Sequence, residues 1–165
     1  MTISASLRAL VAAALLAAPG LAAPASAQAF QQEIRHNVAL CRGDGPAVMI
    51  NLTGVRASSG TMRIQLYRGT ADDWLERGRW LNRIEIPARE GAMAICMPVP
   101  AAGDYAIAIR HDVNGNGSTD LRTDGGAMSN NPSINIFNLG RPSINRTKFS
   151  IGRQVLPMTI NMRYF

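Results

Sequence analysis

From Ala47 to the C-terminus, apolar and polar residues alternate with a period of two, the signature of strands with one buried face. In Ala47–Val55 the inward set is Val48, Ile50 and Leu52, with Asn51 and Thr53 outward. Met62, Ile64 and Leu66 alternate with Arg63 and Gln65, and Ile84 and Ile86 with Arg83 and Glu85. Met93, Ile95 and Met97 form a fourth set, and Tyr105, Ile107 and Ile109 a fifth. Met158, Ile160, Met162 and Tyr164 close the series, and Ile34–Leu40 and Lys148–Ile151 are weaker strands. Ser58-Ser59-Gly60 reads as a hairpin turn, and Glu90-Gly91 and Ala102-Gly103-Asp104 as further turns. Only Thr70–Leu81 lacks strand character. It predicts one short helix near residues 72–78, capped by Asp72 or Asp73 and ended by Gly78, with Trp74 and Trp80 covering an open edge of the core. Short strands at even spacing with polar turns predict an all-β fold, a two-sheet antiparallel β-sandwich.

The first residues follow a different rule. Arg8 precedes the apolar run Leu10–Leu16, Pro19-Gly20 breaks it, and Ala25-Ser26-Ala27 fits a signal-peptidase site. The run is too short to span a bilayer. Residues 1–27 therefore read as a cleavable signal peptide and 28–165 as one β-sandwich domain, periplasmic or secreted. No Cys stands at the cleavage site to take a lipid, and no later stretch is apolar enough for a membrane-spanning helix.

Export changes the reading of Cys41 and Cys96, since an oxidising compartment favours their pairing over two separate buried thiols. The net charge of +6 changes less. Nearly all of it is Arg, scattered singly along strands and loops without a basic run. That pattern describes a solvated surface and not a nucleic-acid site.

One segment carries chemistry. His111–Asp120 reads Asp-x-Asn-x-Asn-Gly-x-x-Asp from Asp112 onward. Asp112, Asn114 and Asn116 offer side-chain oxygens at alternate positions, Gly117 permits a sharp turn, Ser118 offers its carbonyl, and Asp120 closes the set. Ca²⁺ takes six to eight oxygens, and this order resembles the first nine positions of an EF-hand loop. The twelfth position holds Thr123 instead of a bidentate Glu, and the flanks are strand-like. The loop is closer to those that join strands in integrin-type propellers. With two or three carboxylates (Asp112, Asp120 and Asp124), the expected affinity is modest, about 10⁻⁴–10⁻³ M. The same residues also build an unliganded Asx-turn network.

His111 lies in phase with Tyr105, Ile107 and Ile109, which points it inward to orient the loop; a catalytic base beside Asp112 is the sharper alternative. No Gly-x-Ser-x-Gly elbow exists, and His36 stands apart, so neither a nucleophile elbow nor a zinc cluster is supported.

Ala102–Asp112, followed by Asn114, Gly115, Asn116, Gly117 and Asp120, resembles the core signature of the bacterial family called domain of unknown function 2141. Leu52–Leu66 is similar to its first hairpin. Met128-Ser129-Asn130-Asn131 resembles its Phe-Ser-Asn-Asn segment, with Met128 replacing the aromatic. Pro142–Phe149 is similar to a further stretch, with Ile144 and Thr147 departing. The resemblance spans about Val48–Tyr164. It implies an exported transthyretin-like or immunoglobulin-like sandwich and no particular activity.

The sequence thus predicts an exported, non-catalytic binding or structural module with a Ca²⁺-type loop. Its partner would be an envelope glycan, peptide or protein. A periplasmic hydrolase using His111 and Asp112 with the Ser129–Asn131 region is one alternative. A small outer-membrane β-barrel is another, suggested by Phe165 after an alternating strand, but the strands are short for that role.

Overall fold

A computed structural model describes residues 29–135, 138 and 140–164. The expected signal peptide lies outside these residues, as does Phe165. The strands are β1 (Gln32–Glu33), β2 (Ala47–Val55), β3 (Thr61–Arg68), β4 (Trp80–Pro87), β5 (Gly91–Pro98), β6 (Gly103–Asp112), β7 (Gly125–Met128), β8 (Phe149–Ile151), β9 (Val155–Asn161) and β10 (Arg163–Tyr164). The larger sheet has the order β1-β4-β3-β6-β7-β10, with β8 also on β6; the smaller has the order β5-β2-β9. The two pack face to face without closing into a barrel.

The predicted inward sets form the core. Val48, Ile50, Leu52, Met62, Ile64, Leu66, Ile84, Ile95, Met97, Ile107 and Ile160 are all fully buried. Pairing is less uniform than predicted. Most neighbours are antiparallel, but β1 runs parallel to β4 and β2 parallel to β9, so both sheets are mixed. Alternation reports which face is buried, not which neighbour a strand takes.

Ser58-Ser59-Gly60 is also not a hairpin. β2 and β3 belong to different sheets, and this tripeptide is the corner between them. Gly60 adopts φ 73°, and a Cβ there would lie 1.9 Å from the Asp112 carbonyl oxygen. The corner is thereby pressed against the end of β6, where the Asn/Asp-rich loop begins.

The predicted helix near 72–78 is a set of turns. One i→i+4 bond forms, from Trp74 N–H to the Thr70 carbonyl (3.1 Å), but Leu75 then turns left-handed at φ 57° and winding stops. Asp73 faces Arg68 and Arg79, at 3.7 Å each. The short α-helix among the described residues is α1 (Ile144–Thr147). Trp74 and Trp80 do not plug a core edge. With Tyr67, Ala106 and Met128 they form a second cluster on the outer face of the larger sheet, where Trp74 Nε1 donates to the Pro142 carbonyl at 2.8 Å. Burial there pushes the Tyr67 hydroxyl up to about 12, against the pull of Arg141, Arg63 and Arg83.

The region His111–Arg146 is less irregular than its composition implies, since it holds β7. Ser129, Asn130 and Asn131 fix the exit of that strand. Ser129 Oγ accepts from Ile107 N–H (2.9 Å) and donates to the Thr147 carbonyl (2.6 Å). Asn130 Nδ2 donates to the Lys148 carbonyl. Asn131 pairs with β9, donating to the Thr159 carbonyl and accepting from Asn161 N–H. The motif ties three parts of the chain together.

Candidate functional site

Three β6 residues position the loop. Arg110 reaches across it, donating to Thr119 Oγ1 (3.1 Å) and the Gly117 carbonyl (3.0 Å), with Asp112 Oδ2 at 3.4 Å. His111 is fully buried, and both its ring nitrogens are engaged, with Ser59 O at 2.8 Å from Nε2 and Tyr164 Oη at 2.7 Å from Nδ1. A carbonyl can only accept, so Nε2 carries a proton. Tyr164 Oη accepts from Arg56 N–H (3.2 Å) and can give its own proton to Nδ1. Burial pushes the Tyr164 hydroxyl above its ordinary value, which keeps it protonated for that role. His111 thus locks the corner, the loop root and the C-terminal strand together, as its inward phase implied.

Beyond Asp112 the loop is organised by side-chain caps. Asp112 Oδ2 accepts from Gly117 N–H at 2.8 Å, joining the first and sixth positions. Asn114 Oδ1 accepts from Asn116 N–H, and Asn116 Oδ1 from Ser118 N–H. The two amide groups converge on one oxygen, with Asn114 Nδ2 and Asn116 Nδ2 donating to Asp120 Oδ2 at 2.9 and 2.8 Å. Asp124, not assigned a firm place by the sequence, bridges the loop ends by accepting from Val113 N–H and Asp120 N–H. Gly115 and Gly117 take φ of 70° and 79°, which L-residues avoid.

Three of the five predicted ligands, Asn114, Asn116 and Asp120, therefore meet directly. Asp112 joins them through Gly117, and Ser118 contributes its N–H to Asn116. Asp112 Oδ1 is buried without a hydrogen-bond partner among the described residues. An orphaned carboxylate oxygen is costly unless something satisfies it. Among the described residues, no three His, Cys, Asp or Glu side chains gather as a metal-holding group. Any cation here would depend on amide and backbone oxygens as well as carboxylates.

The amide donors hold the Asp120 carboxyl below its ordinary value. A depressed folded value means the contribution is complete above the unfolded value, about 3.9. It is lost as pH falls through the lower folded value. In an NMR titration of the metal-free protein, the Nδ2 signals of Asn114 and Asn116 are expected to move together with a midpoint below about 3.9. A midpoint at or above it would mean the amides do not face Asp120 in solution.

Beside the loop, Leu121 stands 62 % exposed. A groove of about 290 Å³ runs past it over Ala108 and Met128, with Arg141 on the far side. Ser129 is fully buried and both His111 nitrogens are engaged, so among the described residues these two do not form a nucleophile–base pair in it.

An open, mixed-sheet β-sandwich with an Asx-turned loop between strands of one sheet is the class that fold and site define. The family model described as "Uncharacterized protein conserved in bacteria (DUF2141)" matches residues 50–159, two thirds of the chain, and the protein belongs to that family. No curated protein and no solved structure matches it. Cys41 and Cys96 are joined as a disulfide, 5.7 Å between Cα atoms. No helix among the described residues is long and apolar enough to cross a membrane.

Proposed function

We propose that this protein is an exported, non-catalytic binding module whose loop from Asp112 to Asp120 takes Ca²⁺. The ligands would be Asp112, Asn114, Asn116, the Ser118 carbonyl and Asp120. The observation that carries the reading is Asp112 Oδ1, a buried carboxylate oxygen with no partner at the root of an oxygen-rich bend. The turn from Asp112 Oδ2 to Gly117 N–H supports it, because that bond fixes one oxygen of the carboxylate and leaves the other to a cation. Asn114 and Asn116 would turn their carbonyl oxygens from their Asx turns toward the ion. A site with so few charges binds weakly, in the range suited to extracellular Ca²⁺, about 10⁻⁴–10⁻³ M. The cation would stiffen one wall of the neighbouring groove, which makes the loop a partner-facing element.

Calorimetric titration of the purified chain with CaCl₂ tests this. One site per chain is expected, with a rise in stability of about 1.4–2.7 kcal/mol at about 10 mM Ca²⁺. Asp112→Asn, which keeps the shape and removes the charge, should abolish both. Absence of heat and of any shift in melting temperature for the unaltered protein would end the calcium reading.

A further inference from the structure

Among the described residues, the sheet edge least guarded is that of β5. β1 and β10 are two residues long and β8, on β6, is three. β9 carries Pro157, and Asn131 occupies its edge at Thr159 and Asn161. β5 is eight residues long and carries a proline only at its last position, Pro98, whose carbonyl accepts from Asn82 Nδ2; over Gly91–Met97 it has neither device. It ends the smaller sheet, pairs only with β2, and contains no charged residue in eight (GAMAICMP). Ala92 and Ala94 leave the first half of its outer face exposed, while the 3₁₀ turn Val38–Arg42 covers that face at Cys96. Unpaired N–H and C=O groups on a long uncharged edge are a template for another strand, and proteins usually blunt them with charge, proline or a bulge.

The space alongside this edge has a defined chemistry. A groove of about 520 Å³ is bounded on one side by Ala92, Met93 and Ala94 and on the other by Arg35, His36, Glu85 and Arg89. Glu85 is already committed, lying 2.5 Å from Arg63 and 3.5 Å from Arg83. Arg35 and Arg89 are exposed and make no ion pair or hydrogen bond among the described residues. His36 Nε2 is buried here without a partner among the described residues. The groove thus offers backbone groups on one wall and unspent positive charge on the other.

We infer that β5 is a docking edge for an extended acidic peptide segment of a partner protein. The segment adds as a fourth strand to the smaller sheet, and its carboxylates meet Arg35 and Arg89. Main-chain bonds supply most of the affinity and the arginines the selectivity. A second copy of this chain would suit the edge less well. Its own β5 carries no carboxylate to place against Arg35 or Arg89. The inference uses none of the loop residues and stands apart from the calcium reading.

The probe is a capped, fluorescein-labelled hexapeptide of alternating valine and glutamate, with a valine–lysine peptide as control. Both are titrated in EDTA and in CaCl₂ and followed by anisotropy. The glutamate peptide is expected to bind equally in both conditions and to raise hydrogen-exchange protection within Gly91–Met97. The lysine peptide should not bind. The double variant Arg35→Glu, Arg89→Glu, altered only at exposed positions, should weaken glutamate-peptide binding by about tenfold or more, and added salt should do the same. No binding, binding of both peptides alike, or protection outside β5 would overturn the inference. So would concentration-dependent dimerisation that protects β5 without peptide, since the edge would then belong to a second copy.

Discussion

Replacing Cys41 and Cys96 together by alanine is expected to lower stability by about 4 kcal/mol, the cost of releasing a closed loop of 55 residues into the unfolded ensemble. That is a large share of the 5–15 kcal/mol by which a typical domain is stable. It corresponds to a fall in melting temperature of roughly 10–15 °C. The geometry explains why no other contact takes over. Cys41 sits in the 3₁₀ turn Val38–Arg42, which packs on β5 through a small cluster of Cys41, Ala47 and Cys96, with Met49 and Val155 at its margin. The rest of the N-terminal segment is held mainly by β1, which pairs with β4 at only Gln32↔Asn82 and Glu33↔Arg83. Urea unfolding of the oxidised protein, the reduced protein and the double variant checks this. The two thiol-free or reduced forms should agree, and both should unfold at lower denaturant. A loss below about 1 kcal/mol would show that the chain-entropy account does not apply here.

The inward sets were legible because burial of one face imposes its own period on the residues. Val48, Ile50 and Leu52 could not be placed otherwise without exposing three large side chains to water. The partner of each strand was not legible. β9 lies parallel to β2 across more than a hundred residues of sequence, and nothing local to Val155–Asn161 encodes that neighbour. The run Met158–Tyr164 keeps one phase throughout, yet it leaves the smaller sheet at Met162 and enters the larger as β10. Alternation survives such a transfer because both sheets face the same core. Tyr67 and Ala106 show a further limit. They fall on the nominally outer phase of β3 and β6 but are buried under the segment containing Trp74.

The loop was legible for the opposite reason. Its chemistry is local, since Asx turns and positive-φ glycines act over two to five residues. What the sequence could not supply were the distant anchors. Asp124 bridging Val113 and Asp120, and Tyr164 holding His111, depend on chain returns that spacing does not report. The signal that could have found Asp124 is its place just before Gly125-Gly126, where a loop must re-enter the sheet. Glycine is demanded at the first of these positions, for a Cβ on Gly125 would meet the Tyr164 ring at 2.5 Å.

Gly60→Ala is expected to cost about 2–5 kcal/mol, combining left-handed strain of about 1–2 kcal/mol with overpacking of about 1–3 kcal/mol. Both terms apply because φ is 73° and the added Cβ would lie 1.9 Å from the Asp112 oxygen and 2.7 Å from that of Val113. These are backbone atoms, so relief requires the corner or the root of the loop to move. Gly91→Ala separates the two terms. Gly91 has φ 91° with nothing within 4 Å of a Cβ, so that variant carries the strain alone. Gly60→Ala should therefore unfold at distinctly lower urea than Gly91→Ala. It should also weaken Ca²⁺ binding if Asp112 is a ligand, because the displaced carbonyl belongs to that residue, whereas Gly91→Ala should leave Ca²⁺ binding unchanged. Equal destabilisation by the two substitutions would mean that the corner does not press on the loop root, and the mechanical link from Ser59 and Gly60 through His111 to Asp112 would fall with it.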